Sequence, residues 1–195
     1  LDYNICINII ITFDEQEFLN DIQFDDESVS KIGKDTIILA STITNNKILK
    51  KLSHKNLFLY EVFSSIYKNN LSVSGFSIGE LVLDILIKLN SKNVYLIGLD
   101  FSLNQKTGDS HSSDSSSGIT KLDLMMEQDR EYFNSRESLI KVKGNLLGNV
   151  FTTPLFFNSI QSAEVILSHK SDNMNFFNLS ENGAFIEKTI PLKIN

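Results

Sequence analysis

The sequence predicts an α/β fold with a mostly parallel sheet, and three observations carry that expectation. Apolar, β-branched runs alternate along the chain with amphipathic segments. A strand–helix–strand succession of this kind needs crossover connections, which join parallel strands. From Ser77 onward, the apolar residues Ile78, Leu81, Val82, Ile85, Leu86 and Leu89 trace one face of a helix with a period of about 3.6 residues. The run "VYLIGL" that follows is apolar almost without alternation, the pattern of a strand covered on both faces. Together these predict a Rossmann-like sheet with helices on both faces and a short-strand C-terminal extension, built as one domain over residues 1–195.

In chain order, "YNICINIIIT" reads as a buried strand and the acidic stretch over 14–34 as a polar helix or loop. "DTIILAST" is a second strand. "NNKILKKL" is a short helix with Ile48, Leu49 and Leu52 on one side, and "NLFLYEVF" is a third strand. The helix from Ser77 ends near Asn90–Asn93, and "VYLIGL" is the fourth strand. Beyond it, "KLDLMMEQDREYF" predicts a helix, and "SLIKVKG", "NVFTT" and "GAFIEK" predict short strands. "PLFFNSIQSAEVILSHK" predicts a helix with Pro154 in its first turn, where a missing N–H costs nothing.

Composition excludes several function classes. The 195 residues are 42% hydrophobic, enough for one sizeable core. A formal net charge of −6 leaves no electrostatic footprint for nucleic acid or an anionic membrane. The lysines Lys47, Lys50, Lys51 and Lys55 read as a solvated helix face. The one cysteine, Cys6, cannot form an internal disulfide; it reads as a small buried hydrophobe in a reducing compartment. No apolar run approaches the about 20 residues of a membrane span, and the start lacks a basic n-region. A soluble cytoplasmic protein is the expectation. The chain begins on strand-like residues without an initiator methionine, as expected of a piece of a longer protein.

Chemistry is expected beyond the carboxyl ends of parallel strands, where open α/β sheets bind ligands. In "SVSGFSIGELV", Gly75 and Gly79 permit close backbone approach and Ser77 stands at the N-cap. The helix tip behind it suits a phosphate, or is an ordinary capped turn. Gly98 and Asp100 stand at the end of the fourth strand. Asp100 is a candidate to bind a ribose hydroxyl, to hold a metal, or to cap the loop that follows. From Thr107 to Gly118 the chain carries six serines and no apolar side chain, so 107–118 is expected to be a mobile loop. His111 within it is a candidate proton-transfer or phosphate-contacting group, or an ordinary surface histidine. In "VKGNLLGNVFTTPLF", two glycines flank a turn and Thr152-Thr153-Pro154 lead into a helix, again suiting an oxyanion. No Cys/His spacing matches a zinc site, and the metal requirement stays unknown.

These segments occur in an order that resembles the central domain of the motility accessory factors. "SGFSIGELVLDILIKLNSKNVYLIGLDFSLNQKTGDSHS" resembles that family's Gly-x-Ser turn, helix, and Ile-Gly-x-Asp strand end. "VKGNLLGNVFTTPLF" resembles its Gly-Asn-x-Gly-Gly-x-Val-x-Thr-Thr-Pro stretch, and "NLSENGAFIEKTIPL" its closing segment. The likeness runs from about Asp35 to Leu192. "NVYLIGLDF" is also similar to a stretch of bacterial sialyltransferases, and a more distant relative group is a pterin pyrophosphokinase that transfers diphosphate from ATP.

The resemblance implies a glycosyltransferase that moves pseudaminic or legionaminic acid, both nonulosonic acids, from a CMP-sugar donor to Ser or Thr of flagellin, in support of flagellar assembly and motility. Carried over by motif, His111 and Asp100 would be catalytic. Gly75, Ser77, Gly98, Thr107, Gly144, Asn145, Thr152 and Thr153 would bind the nucleotide. The family's adjacent Thr-His is split here by Gly108-Asp109-Ser110, and a sialyltransferase tyrosine that contacts donor phosphate is here Ser102. Family members usually open this domain with a Gly-x-Gly-Pro-Ser-Leu loop, which the sequence does not contain. Two alternatives stand beside the glycosyltransferase: a pterin-type diphosphokinase using Mg-ATP, with Asp100 as Mg²⁺ ligand, and a non-catalytic escort domain for flagellin.

Overall fold

The computed structural model describes residues 6–13, 15, 17, 19–60, 77–110, 121–125 and 138–194. The chain divides into two compact units, Leu1–Ser72 and Val73–Asn195. The α/β class holds, with parallel sheets in both units. No helix of the described residues is long and apolar enough to cross a membrane.

The first unit is a parallel sheet of β1 (Ile9–Thr12), β2 (Ile37–Ser41) and β3 (Leu57–Tyr60), in that order. Between β1 and β2 run two short helices, α1 (Leu19–Ile22) and α2 (Asp26–Ser30); α3 (Asn46–Leu52) links β2 to β3. Both α2 and α3 start where a side chain satisfies an open amide. Asp25 accepts from the Ser28 amide at 2.9 Å and from its hydroxyl at 2.7 Å, and these donors hold its carboxyl below the ordinary aspartate range. Asn45 accepts from Lys47 N at 2.9 Å. Ile38 of β2 shares one core cluster with Ile48 and Leu52 of α3, and these three, like Ala40, are fully buried.

Two details of this unit differ from the sequence reading. Cys6 is exposed, because it precedes β1 rather than sitting inside it. The lysine group is only partly a solvated face. Lys51 Nζ donates to the Phe24 carbonyl at 3.1 Å and pairs with Asp26, and Lys55 Nζ donates to Ile32 O at 3.0 Å. Both lysines bring their charged ends to carbonyls just beyond the ends of α1 and α2.

The second unit has a parallel sheet of β4 (Asn93–Leu96), β7 (Asn175–Asn178) and β8 (Ile190–Pro191). An antiparallel hairpin of β5 (Ile140–Lys143) and β6 (Asn149–Thr152) joins it through a bridge between Gly144 and Ala184. Two longer helices, α4 (Ile78–Lys88) and α5 (Pro154–Ser168), pack on one another. Each feeds a parallel strand through a short turn, so each runs antiparallel to that strand. Both helix N-termini therefore come to the carboxyl edge of the sheet. Between helices and sheet lies the larger core, which includes Leu83, Leu96, Val150, Ile166, Leu167 and Phe176.

The structure corrects the strand and helix readings in four places. β4 alternates: Val94 and Leu96 are buried, whereas Tyr95 is 57% and Ile97 79% exposed. Tyr95 stacks on Phe177 of β7 with ring centroids 5.0 Å apart, so the outward side chains form their own aromatic pair. Of the predicted stripe of α4, Leu81 is buried and Leu86 packs against the core, but Glu80, Leu83 and Asp84 are buried beside them and Leu89 is exposed. Asp84 tolerates burial because Lys88 Nζ lies 2.7 Å away. "GAFIEK" holds only the Ala184 bridge; a turn closed by Thr189 N on Ile186 O follows, and the strand falls at Ile190–Pro191. β7 was not foreseen. Of the predicted helix in "KLDLMMEQDREYF" only residues 121–125 are described, and of the expected loop 107–118 only 107–110.

Tyr60 gives the first unit a pH dependence with a definite sign. Its hydroxyl crosses from β3 to donate to the carbonyl of Thr12 on β1 at 3.2 Å, and burial pushes its pKa above the ordinary tyrosine range. A raised folded-state pKa means the stabilisation is fully present below the unfolded value, about 10, and is lost as pH rises through the folded value. Tyr60→Phe removes the bond, costing about 1 kcal/mol at neutral pH, and removes this source of alkaline loss. Urea unfolding of both proteins between about pH 8 and about pH 11 should show the wild-type advantage shrinking with pH; a constant advantage refutes the assignment.

Candidate functional site

The fourth strand ends in two sharp changes of direction. Gly98 has φ +75° and Phe101 φ +47°, so two left-handed residues bracket Leu99 and Asp100. Glycine adopts this region freely; a phenylalanine there is strained. Between the two kinks, Asp100 is exposed, while the Phe101 side chain is buried in the main core.

The backbone on either side of Asp100 is fastened by two other segments. Ala184 N donates to Asp100 O at 2.8 Å, and the Thr152 hydroxyl donates to Phe101 O at 2.7 Å. Ser102 Oγ donates to Asn182 O at 2.9 Å, and Leu103 N to Phe151 O at 2.9 Å. The turn from Ser180 to Ala184 comes close because residue 183 is glycine. A Cβ there would stand 2.6 Å from Ser180 Cβ and 3.1 Å from Asp100 O.

The tip of α4 lies against the same strand end. A Cβ on Gly79 would stand 2.3 Å from Leu99 Cδ1, so the first turn of α4 touches the residue before Asp100. Ser77 is the N-cap residue, yet its side chain makes no hydrogen bond to a first-turn amide. Its hydroxyl instead donates to Glu80 Oε1 at 3.4 Å. At the tip of α5 the reverse holds: Thr153 Oγ1 accepts from Phe156 N at 3.3 Å and caps the helix. Of the two helix tips at this edge, only that of α5 is closed by its own N-cap side chain. Glu80, fully buried in the first turn of α4, places a carboxylate at the positive end of that helix.

The residues expected to bind nucleotide thus fall into distinct positions. Ser77, Gly98 and Asp100 gather at the carboxyl edge of β4. Thr152 and Thr153 are there too, but both are buried and their hydroxyls are spent on Phe101 O and the α5 cap. Gly144 pairs with Ala184. Asn145 is buried; its side-chain amide donates to Asn178 O at 3.0 Å and Ser180 O at 2.9 Å. Thr107 lies in a turn around Asn104, its hydroxyl bonded to Asp109. Asp109 of that turn forms an isolated antiparallel bridge with Lys121. His111 and Gly75 lie outside the described residues. Ser102, at the position of the sialyltransferase tyrosine, is buried and bonded to the 182 carbonyl rather than turned outward.

Sequence reasoning missed Asn178, Ser180 and Gly183. Asn178 is fully buried at the end of β7; its Oδ1 accepts from Ser180 N at 3.0 Å. Asn145 Oδ1 and Ser180 Oγ, also buried, bond to none of the described residues, so hydrogen-bonding capacity remains beside the strand ends. The pattern Asn-x-Ser-x-Asn-Gly just after a short aromatic pair was the available signal for a strand end followed by a side-chain-supported turn. No group of three or more His, Cys, Asp or Glu gathers among the described residues. Asp100 offers a single carboxylate, the number with which Mg²⁺ is commonly held when substrate phosphates supply other ligands.

Residues 1–106 match the family model described as 6-hydroxymethylpterin diphosphokinase MptE-like. The chain belongs to this MptE-like family. The matched stretch takes in α4, β4 and the Gly98–Ser102 turn, so the α4 tip and Asp100 are MptE-like elements, whereas Asn145, Thr152 and Gly183 lie beyond it. No curated protein and no solved structure matches the chain, and the family match does not extend to the motility accessory factors or sialyltransferases as such.

The two glycines at this edge should respond differently to alanine. Gly98→Ala meets open space and bears only the cost of its positive φ, about 1 kcal/mol. Gly183→Ala collides with a Cβ and with backbone, and should cost roughly 1–3 kcal/mol as the turn is forced away from Asp100. Denaturant unfolding of the two variants orders them; equal losses refute the close approach.

Proposed function

We propose that the protein is a nucleotide-dependent transferase whose donor lies at the carboxyl edge of β4. The observation that carries this reading is the meeting of the α4 tip with the Gly98–Asp100 turn across Leu99. An N-cap side chain that leaves the first-turn amides alone, at the end of an 11-residue helix, suits an anionic phosphate. The exposed Asp100, next in the chain to the Leu99 that touches this tip, suits a ribose hydroxyl or a phosphate-bound Mg²⁺. The MptE-like membership supports a transferase or kinase-like activity.

Within that class we favour transfer of a nonulosonic acid, pseudaminic or legionaminic, from its CMP donor to a Ser or Thr hydroxyl of flagellin. Support comes from the motif resemblance and from where the motifs fall: the Ser77 turn, the Asp100 strand end, the Gly144–Thr153 segment and the Asn182–Ala184 turn all converge on one seam. In such a transfer the C–O bond from sugar to CMP phosphate breaks through an oxocarbenium-like state, and the acceptor oxygen forms the new bond as it loses its proton. The α4 tip and Ser77 stabilise the departing phosphate, Asp100 orients the nucleotide, and His111 is the candidate to take the proton.

Diphosphate transfer from Mg-ATP to a pterin alcohol is the second reading, favoured by membership of the 6-hydroxymethylpterin diphosphokinase MptE-like family. Calorimetric titration of the protein with CMP and, separately, with Mg-ATP decides between them. The glycosyl-transfer reading expects CMP to bind and Asp100→Asn to weaken it about tenfold. Binding of Mg-ATP with no response to CMP overturns it in favour of the second reading; binding of neither overturns both and leaves the escort role.

A further inference from the structure

Asp100 stands on a strained piece of backbone that one buried hydroxyl holds in place. The residue after it, Phe101, has φ +47°, a conformation that a bulky side chain keeps only when its surroundings over-determine it. Two features do so: its ring is packed in the main core, and its carbonyl accepts from Thr152 Oγ1 at 2.7 Å. Thr152 is itself fully buried and belongs to β6, so the hydroxyl fixes the turn from a different strand.

We propose that Thr152 is a positioning residue for Asp100, locking the left-handed turn at Phe101 so that Asp100 keeps its place next to Leu99, the residue that touches the α4 tip. The opposite side of the same peptide segment is fixed by Ala184 N on Asp100 O at 2.8 Å. Loss of the Thr152 hydroxyl leaves a buried carbonyl without its donor and a strained residue free to relax toward negative φ, which swings the Asp100–Phe101 peptide. A displacement of about 1 Å at a reacting group is enough to cost up to about a hundredfold in rate. The functional half of this inference rests on the proposed nucleotide site; the structural half does not.

The test uses Thr152→Val, which keeps the shape and removes the hydroxyl, Thr152→Ser, which keeps it, and Asp100→Asn, alone and combined with Thr152→Val. Amide hydrogen exchange reads the turn without any ligand. Ala184 N–H should exchange at least about tenfold faster in Thr152→Val, with Val94 and Phe176 in the core unchanged and Thr152→Ser close to wild type. Unchanged Ala184 exchange in a folded Thr152→Val protein overturns the lock. CMP affinity, and turnover where CMP-sugar transfer is measured, reads the function. Thr152→Val should lower these in the wild-type background and have no further effect in the Asp100→Asn background. Additive losses in the double variant overturn the positioning role. Absence of CMP binding by the wild type, with the exchange result intact, counts against the CMP-donor reading alone.

Discussion

The second unit depends on one seam, where the chain after β4 gives its carbonyls to two other segments. Asp100 O accepts from Ala184 N and Phe101 O from Thr152 Oγ1. These bonds join the parallel sheet, the β5–β6 hairpin and the Ser180–Ala184 turn, which are distant in sequence. Strand ends are where backbone groups lose their ladder partners, and buried ones must find others. Here the partners are a threonine hydroxyl, an asparagine amide and a glycine turn. The requirement for satisfaction thereby draws the polar residues of three segments to the edge where a ligand would be met.

The same constraint explains why β7 ends in asparagine. Asn178 is fully buried, which an unpaired amide side chain could not tolerate. Its Oδ1 receives Ser180 N, its own carbonyl receives Asn145 Nδ2, and its Nδ2 lies 3.5 Å from Ala184 O. A hydrophobic residue of similar size would fill the space but leave Ser180 N without its acceptor and Ala184 O without the Nδ2 donor. Asn178 therefore ties the turn carrying Gly183 to the sheet, and through Gly183 to Asp100.

The parts legible in the sequence are those dictated by local chemistry. "DTIILAST" and "NNKILKKL" became β2 and α3 because their apolar spacing and the Asn45 cap act within one element. Pro154 began α5 for the reason expected of it. What escaped reading was set by tertiary context. The two Phe residues of "NFFN" are too few to separate a strand from a loop by period; pairing with β4 makes them a strand. The inward side of α4 is decided by what it packs against, and a buried Asp84 with Lys88 one turn on looks no different in sequence from an exposed pair. Burial at Tyr95 was misjudged because an unbroken apolar run serves equally for a strand with an exposed aromatic pair.

The candidate site was legible in part, and the boundary is instructive. Ser77, Gly98 and Asp100 were found because strand ends and helix tips are predictable places for ligands. Thr152 and Asn145 were found by motif, yet the structure uses both side chains to hold backbone rather than to face outward. A motif records which residues matter without saying at what remove from the ligand they act. Hydroxyl and amide side chains near a phosphate-binding edge serve two demands: the ligand's charge needs donors, and the strand ends that position those donors need partners as well. In this chain the second demand takes up Thr152, Thr153, Asn145 and Ser102. That leaves the α4 tip and Asp100 as the groups best placed to answer the first.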